Sequence, residues 1–185
     1  GKNKTIGKNE PKVDAIKLVQ GKPAFTDDFE IAGMLYAKVL HSPYAHAEIV
    51  SINTEDAKKI PGVHAVLTWK DLPRVVYSSA GQSDPIPGPL DMFSLDKKVR
   101  FVGDRVAFVA AESEAIANMA IQAIKVIYKE LPCILDSSIS MKEGAIRIHD
   151  EEEYVNFADS NPNKNLAAEI RIDIGDVEKG FEEAD

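Results

Sequence analysis

Apolar residues fall in short alternating runs along much of the chain, and turn-forming residues cut these runs before a long helix could develop. Met34 to His41 is rich in strand formers, and Ser42-Pro43 stops it because proline has no amide to give a β-ladder. Ala47 to Ile52 is a second strand. Asn53-Thr54 then offers capping oxygens to a short helix in which Glu55 and Asp56 precede Lys58 and Lys59, the order favoured by the helix dipole. Pro61-Gly62 must end that helix. Beyond it Val63, Ala65 and Leu67 alternate with His64, Val66 and Thr68 as a strand does.

The same strand–helix–strand order returns without detectable sequence identity. Val99 to Val102 and Val106 to Ala111 are apolar runs on either side of Gly103-Asp104-Arg105, a spacing suited to a turn or bulge between strands buried on both faces. Ser113 caps a helix, Glu114 sits in its first turn, and Ile116, Ala120, Ala123 and Ile124 share one side. Val126, Ile127 and Tyr128 turn the pattern back to strand over Lys125 to Lys129, and Leu131-Pro132 closes it. The expected fold is α+β, with the two units sharing one mixed sheet or small barrel and Val106, Phe108, Val109, Ile116 and Ile124 in its core. Polar extensions flank it at both ends.

Three stretches do not fit that frame. Gly1 to Gln20 is Lys- and Asn-rich with little periodicity and reads as an arm. Tyr77 to Leu95 holds Gly81, Pro85, Pro87, Gly88 and Pro89 among serines, and reads as a long loop that is functional, interfacial or mobile. After Asp136 comes a polar extension containing Glu151-Glu152-Glu153 and Asn161-Pro162-Asn163. In it Ile170, Ile172 and Ile174 alternate with Glu169, Arg171 and Asp173, the pattern of a half-buried strand. Gly175-Asp176 and a helical start from Val177 to Asp185 follow. An amphipathic strand without an obvious partner reads as part of something longer.

Composition narrows the function classes. Of 185 residues, 22 are Lys or Arg and 30 are Asp or Glu, giving a net charge of −8. A chain of this size buries roughly 70% of its unfolded surface, so neither disulfides nor metals are required for stability. The acidic balance and scattered cations oppose nucleic-acid binding. No apolar run reaches the ~20 residues of a membrane span and no secretory h-region opens the chain, so a soluble cytoplasmic protein is expected. Cys133 is the single cysteine. It excludes an internal disulfide, a zinc ribbon or a cysteine-ligated iron–sulfur cluster held by these residues alone.

Candidate chemistry is sparse. There is no Gly-x-Gly-x-x-Gly after a strand and no Walker pattern. Of the four histidines, only His41 and His46 are close in sequence. Zinc would need both rings to converge with a ligand such as Asp27 or Asp28, and imidazoles flanking a turn are the ordinary explanation. Ser42, His46 and Asp28 form an imaginable triad, but Pro43 removes the amide that would follow the nucleophile in an oxyanion hole. Asp27, Asp28 and Glu30 read as turn and cap acceptors. The glutamates 151 to 153 read as a solvated loop, since no calcium-loop spacing accompanies them. Trp69 reads as packing under the turn formed by Asp71-Leu72-Pro73.

An ordered set of strings resembles a known family. They are Gly21 with Phe25-Thr26-Asp27-Asp28, Met34-Leu35-Tyr36-Ala37-Lys38-Val39-Leu40, Ser42-Pro43-Tyr44-Ala45-His46-Ala47, Ile60-Pro61-Gly62-Val63, Thr68-Trp69-Lys70-Asp71-Leu72-Pro73, Val99-Arg100-Phe101-Val102-Gly103, Val106-Ala107, and Val126-Ile127-Tyr128-Lys129-Glu130-Leu131-Pro132. Together they resemble the α/β hammerhead domain at the start of the molybdenum-binding subunit of xanthine dehydrogenases and aldehyde oxidases. Gly175-Asp176-Val177-Glu178-Lys179-Gly180-Phe181 resembles the stretch just before that family's molybdopterin-binding region.

The resemblance implies an arm over 1–20, a hammerhead domain over 21–138, and an extension over 139–185 leading into a molybdopterin-binding region. It implies that the intact enzyme hydroxylates a purine, another N-heterocycle or an aldehyde with water-derived oxygen at molybdenum. Electrons would pass through 2Fe-2S clusters and FAD in partner domains or subunits. This stretch would carry no catalytic, cofactor-binding or metal-ligating residue and would be inactive alone. A second reading is a stand-alone module that grips a small molecule or protein with the loop 77–95. A hydrolase working through Ser42 and His46 is the weakest of the three.

Overall fold

The computed structural model describes residues 6–22, 25–79, 88–156, 159–172 and 174–184. The chain divides into two compact units at Leu35/Tyr36. The first contains a single helical turn, α1 (Ala15–Val19), and a 3₁₀ turn over Thr26–Asp28. None of its described residues is buried, and Ile16 and Val19 are 70% and 83% exposed. Its local order comes from short-range bonds: the Asp28 carboxylate accepts from the Phe25 amide at 3.0 Å, which is a cap and agrees with the reading of these acids as turn acceptors.

The second unit holds the sheets. Its elements in chain order are β1 (Tyr36–His41), β2 (Ala47–Asn53), α2 (Glu55–Lys58), β3 (Val63–Thr68), β4 (Lys98–Val99), β5 (Arg105–Ala111), α3 (Glu114–Ala123) and β6 (Lys125–Glu130). A later helical turn, α4, spans Val177–Glu182. Both strand–helix–strand units form where the pattern placed them. The Ser113 side chain caps α3 by accepting from the Ile116 amide at 3.2 Å. At α2 the acceptor is Asn53, bonded to the Glu55 amide at 2.9 Å, and Thr54 makes no side-chain cap.

The strands do not share one mixed sheet or close into a barrel. They form two three-stranded sheets, ordered β1-β5-β3 and β4-β2-β6, with every pairing antiparallel. Each unit gives one strand to each sheet, so β3 pairs with β5 and β2 with β6. Hydrophobic alternation identifies which segments are strands, but pairing is a choice between distant segments that alternation does not encode. Of the run Val99 to Val102 only Val99 lies in a strand, as the second residue of β4, and Phe101 and Val102 lie exposed. Ile170, Ile172 and Ile174 are not in a strand, and each is more than three-quarters exposed. No strand among the described residues supplies hydrogen-bond partners for that segment.

Central strand β5 is buried on both faces. Ala107, Val109 and Ala111 join Ala57 of α2, Val66 of β3 and Ala117 and Ala120 of α3 in one apolar cluster, with Ile124 beside them. Val106 points the other way, into a second cluster with Ala47, Ile49 and Val99. Small residues at 57, 107, 111, 117 and 120 let helices and sheet approach closely. Of the expected core, Val106, Val109 and Ile124 are buried and Ile116 packs at the margin. Phe108 is half-buried and joins neither cluster, because position 108 shares its face with Ala110 and points away from the helices. Among the described residues no helix is long and apolar enough to cross a membrane.

Gly62, in the turn from α2 into β3, is set by two constraints at once. Its φ is +86°, and a Cβ there would lie 2.8 Å from Ile116 Cδ1 and 3.3 Å from Glu112 Oε2. Its carbonyl accepts from the Glu112 amide at 2.8 Å, joining the turn to the end of β5. Gly62→Ala is expected to destabilise the chain by about 1–3 kcal/mol. Gly103→Ala, where φ is +95° but the space is open, should cost less. Urea unfolding of both variants checks the order, which reverses if the contact with Ile116 is immaterial.

Candidate functional site

The principal concavity of the second unit is a cleft of about 570 Å³. Its lining comes from Ser78-Ser79, from Gly88 to Phe93, from the Asp96 to Arg105 stretch around β4, and from Ile148-His149 and Ala167-Ala168. The loop segments that border it are anchored. Tyr77 and Met92 exchange backbone hydrogen bonds at 2.8 and 3.0 Å, and Leu90 and Val155 do so at 3.1 Å in both directions. Phe93 and Leu95 are buried. Gly81, Pro85 and Pro87 lie outside the described residues.

Buried charge organises the cleft. Arg100 directs Nη2 to Asp96 Oδ2 at 2.8 Å and Nε to Glu151 Oε1 at 2.9 Å, and these three side chains are only 6–8% exposed. Lys98 Nζ reaches Glu151 at 3.0 Å, and Lys98 pairs also with Asp150. Arg74 pairs with Glu153, and its Nε reaches Asp96 at 3.3 Å. The Arg74 guanidinium lies 4.0 Å from the centroid of the Phe93 ring. Arg105 donates to the Tyr77 hydroxyl at 2.6 Å and to the Phe93 carbonyl at 3.2 Å. Thus the 151–153 stretch, expected to be a solvated loop, is anchored through two of its three glutamates, Glu151 to Lys98 of β4 and to Arg100 just after it, and Glu153 to Arg74. Glu151 is drawn inward because a buried guanidinium with one carboxylate would otherwise keep unpaired donors.

Ionisation follows from this geometry. Burial pushes the Glu151 carboxyl up, but the nearby His149 ring, the hydrogen-bonded ion pairs with Arg100 and Lys98 and the Arg100 charge together hold it well below the usual carboxylate range. Burial acts against the Arg100 charge, and Glu151 and Asp96 more than restore it. Asp91, in the cleft, is displaced the other way: burial raises it, and the opposing effect of His149 is smaller. The cleft therefore combines a carboxyl that burial displaces towards protonation with a buried arginine, Arg100, already committed to two carboxylates.

The residues singled out in sequence are structurally occupied. Ser42 is 3% exposed, and its hydroxyl donates to the Tyr44 carbonyl and accepts from the Tyr44 amide, both at 3.0 Å. His41 donates from Nδ1 to the Gly103 carbonyl and His46 from Nδ1 to the Pro132 carbonyl, each at 2.6 Å. The acceptors are carbonyls, so in each ring Nδ1 carries the proton. His64 faces Glu112 at 3.2 Å, and His149 lies 3.6 Å from Glu151. Trp69 packs at the edge of the cluster around Val106, and Lys70 Nζ sits 5.6 Å from its ring centroid. Asp71 accepts from both the Thr68 amide and hydroxyl, at 2.7 and 2.8 Å. The Arg100 cluster escaped the sequence reading. Asp96 and Arg100 are four apart, but Glu151 is 51 residues further on, a separation no local pattern registers.

Comparison with known proteins places the chain. The aldehyde oxidase and xanthine dehydrogenase a/b hammerhead domain family matches it over residues 20–132. The chain belongs to that family. The hammerhead chain is 40% identical over 205 residues to the protein named "Probable hypoxanthine oxidase XdhD" of Escherichia coli strain K12, covering 97% of this chain and 21% of that protein. It is 35% identical over 178 residues to the xanthine dehydrogenase molybdenum-binding subunit of Escherichia coli O157:H7, covering 94% and 22%. Among solved structures, quinoline 2-oxidoreductase from Pseudomonas putida 86 superposes with a TM-score of 0.64 at 33% identity, covering 80% of this chain and 19% of that one. The hammerhead chain thus spans about a fifth of the length of these relatives.

The residues of the cleft do not suit a molybdenum–pterin group. An anionic phosphate ligand needs uncommitted cations or a cradle of amides. Here Arg100 is held by two carboxylates and Arg105 by the Tyr77 hydroxyl and the Phe93 carbonyl, and Asp91, Asp96 and Asp104 line the same space. Among the described residues no three His, Cys, Asp or Glu side chains gather in an arrangement able to hold a metal ion.

Glu151→Gln leaves the Arg100 charge short of a buried partner and is expected to cost about 3–5 kcal/mol in urea unfolding at neutral pH. The Glu151 pKa is lower folded than unfolded, so its stabilisation is complete above the unfolded value near 4.5 and is lost as pH falls towards the folded one. The gap between wild type and variant should therefore narrow below about pH 4.5. A gap independent of pH would show that the carboxylate charge is not what stabilises the site.

Proposed function

We propose that this chain is a supporting hammerhead domain of the molybdenum-binding subunit of a xanthine dehydrogenase-like hydroxylase. The reacting centre would lie in the larger part of the subunit beyond these residues. The match over 20–132, joined to coverage of 97% of this chain but 21% of a relative, carries the reading. The division into an arm over 1–20, a hammerhead over 21–138 and a lead-in over 139–185 belongs to the same proposal. So does a cytoplasmic location.

In this reading the intact enzyme takes a purine, another N-heterocycle or an aldehyde and inserts oxygen from water at molybdenum. Electrons leave through 2Fe-2S clusters and FAD on partner domains or subunits, since those groups supply the redox chemistry. The work of the present residues is mechanical. The Asp96–Arg100–Glu151 cluster fixes the chain at Glu151 beside β4, and so sets where the remainder of the subunit departs from the sheets.

A second reading rests on the cleft itself, which is large enough for a small ligand and is bordered by both described ends of the loop 77–95. Metal analysis and turnover separate the two. The 185-residue chain alone is expected to hold no molybdenum and to leave hypoxanthine unchanged, whereas the intact subunit with its redox partners should hold molybdenum and hydroxylate hypoxanthine. Molybdenum retained by the isolated chain would defeat the first reading. Saturable NMR shifts at Asp91, Met92 and His149 on adding hypoxanthine to it would favour the second.

A further inference from the structure

The segment after the cleft carries an apolar surface with no counterpart to bury it. Ile170, Ile172 and Ile174 are 84%, 76% and 83% exposed, and their period of two is that of a strand, not a helix. Gly175, with φ +73°, turns the chain into α4, whose first amides are capped by Asp176 accepting from the Lys179 amide at 3.1 Å. Val177 and Phe181, one helical turn apart, are 49% and 77% exposed. A segment of strand-like periodicity and the short helix α4 thus both expose apolar side chains.

We propose that residues 169–174 form an edge strand that adds to a β-sheet in the polypeptide following this stretch in the intact subunit, with Val177 and Phe181 covering the same apolar layer. Period-two isoleucines with polar residues between them match one-sided burial on a sheet whose other face is wet. Four-fifths of each relative lies outside the region this chain matches, so ample polypeptide exists to supply that sheet. A second copy is a poor alternative, because each chain carries a net charge of −8. The inference rests on reading the chain as part of a longer molybdenum-binding subunit, and it names the contact by which the hammerhead is joined to the rest.

Amide hydrogen exchange, measured in the 185-residue chain and in the intact subunit, tests this. The amides of Ile170 and Ile172 should exchange at least about 100-fold more slowly in the intact subunit. Ile172→Asp should abolish that difference while leaving the β5 amides unchanged, and Ile172→Val should preserve it. Equal, fast exchange in both proteins overturns the proposal. So does protection already present in the short chain, whether independent of concentration, meaning an internal partner, or rising with it, meaning a second copy. An intact enzyme that holds molybdenum and turns over while these amides stay unprotected overturns this inference alone. Protected amides in a subunit without molybdenum or turnover overturn the functional reading alone.

Discussion

The arrangement around the cleft depends on one guanidinium. Arg100 is almost wholly removed from solvent, and a buried cation persists only where carboxylates replace the water it has lost. Asp96 supplies one from the same local stretch. Glu151 supplies the other from far along the chain, and in doing so brings an otherwise polar extension down onto β4. The pairing with Lys98, the bridge between Leu90 and Val155 and the enclosure of the cleft lie around that contact. Replacing the trio by apolar residues of the same volume could be neutral for stability, but it would give up the directional bonds that select one docking of the extension.

What the sequence disclosed, and what it withheld, divides along a physical line. The elements were legible where local chemistry decides them: Ser113 before α3, Pro61-Gly62 after α2, and alternation through β3 and β5. Ser42, His46 and Asp28 were read as structural from Pro43 and the turn context, which are local facts, and each side chain makes a hydrogen bond with backbone. Pairing between strands was not legible. The assignment of β2 to β6 and of β3 to β5 is decided by contacts such as Thr68 with Ala107 and Ala47 with Glu130, far apart in sequence, for which single-residue patterns carry no record. Phe108 misled because its size suggested a core position, whereas its face of the strand points away from the helices. Glu151 misled for the converse reason, since its neighbours Glu152 and Glu153 make it look like part of a solvated acidic run.

The family match and the physical reading address different questions. Hammerhead strings identify lineage, and the relatives that share them bear names referring to hypoxanthine, xanthine and quinoline. Nothing in β1 to β6 distinguishes those substrates, as expected when function resides in sites carried by other parts of a protein. What these residues do specify is a platform whose buried Arg100 is already neutralised by two carboxylates, with an acidic net charge and apolar side chains exposed beyond the cleft.

The exchange of strands between the two units bears on how such a protein is made. Both β1 and β3 must wait for β5, and β2 must wait for β6. A ribosome delivering the chain from its N-terminus therefore releases β1 and β3 without their hydrogen-bonding neighbour until Arg105–Ala111 emerges, and the second sheet is incomplete until Lys125–Glu130. During that interval the nascent polypeptide presents bare β-edges, the state most open to misassociation and most dependent on chaperone shielding.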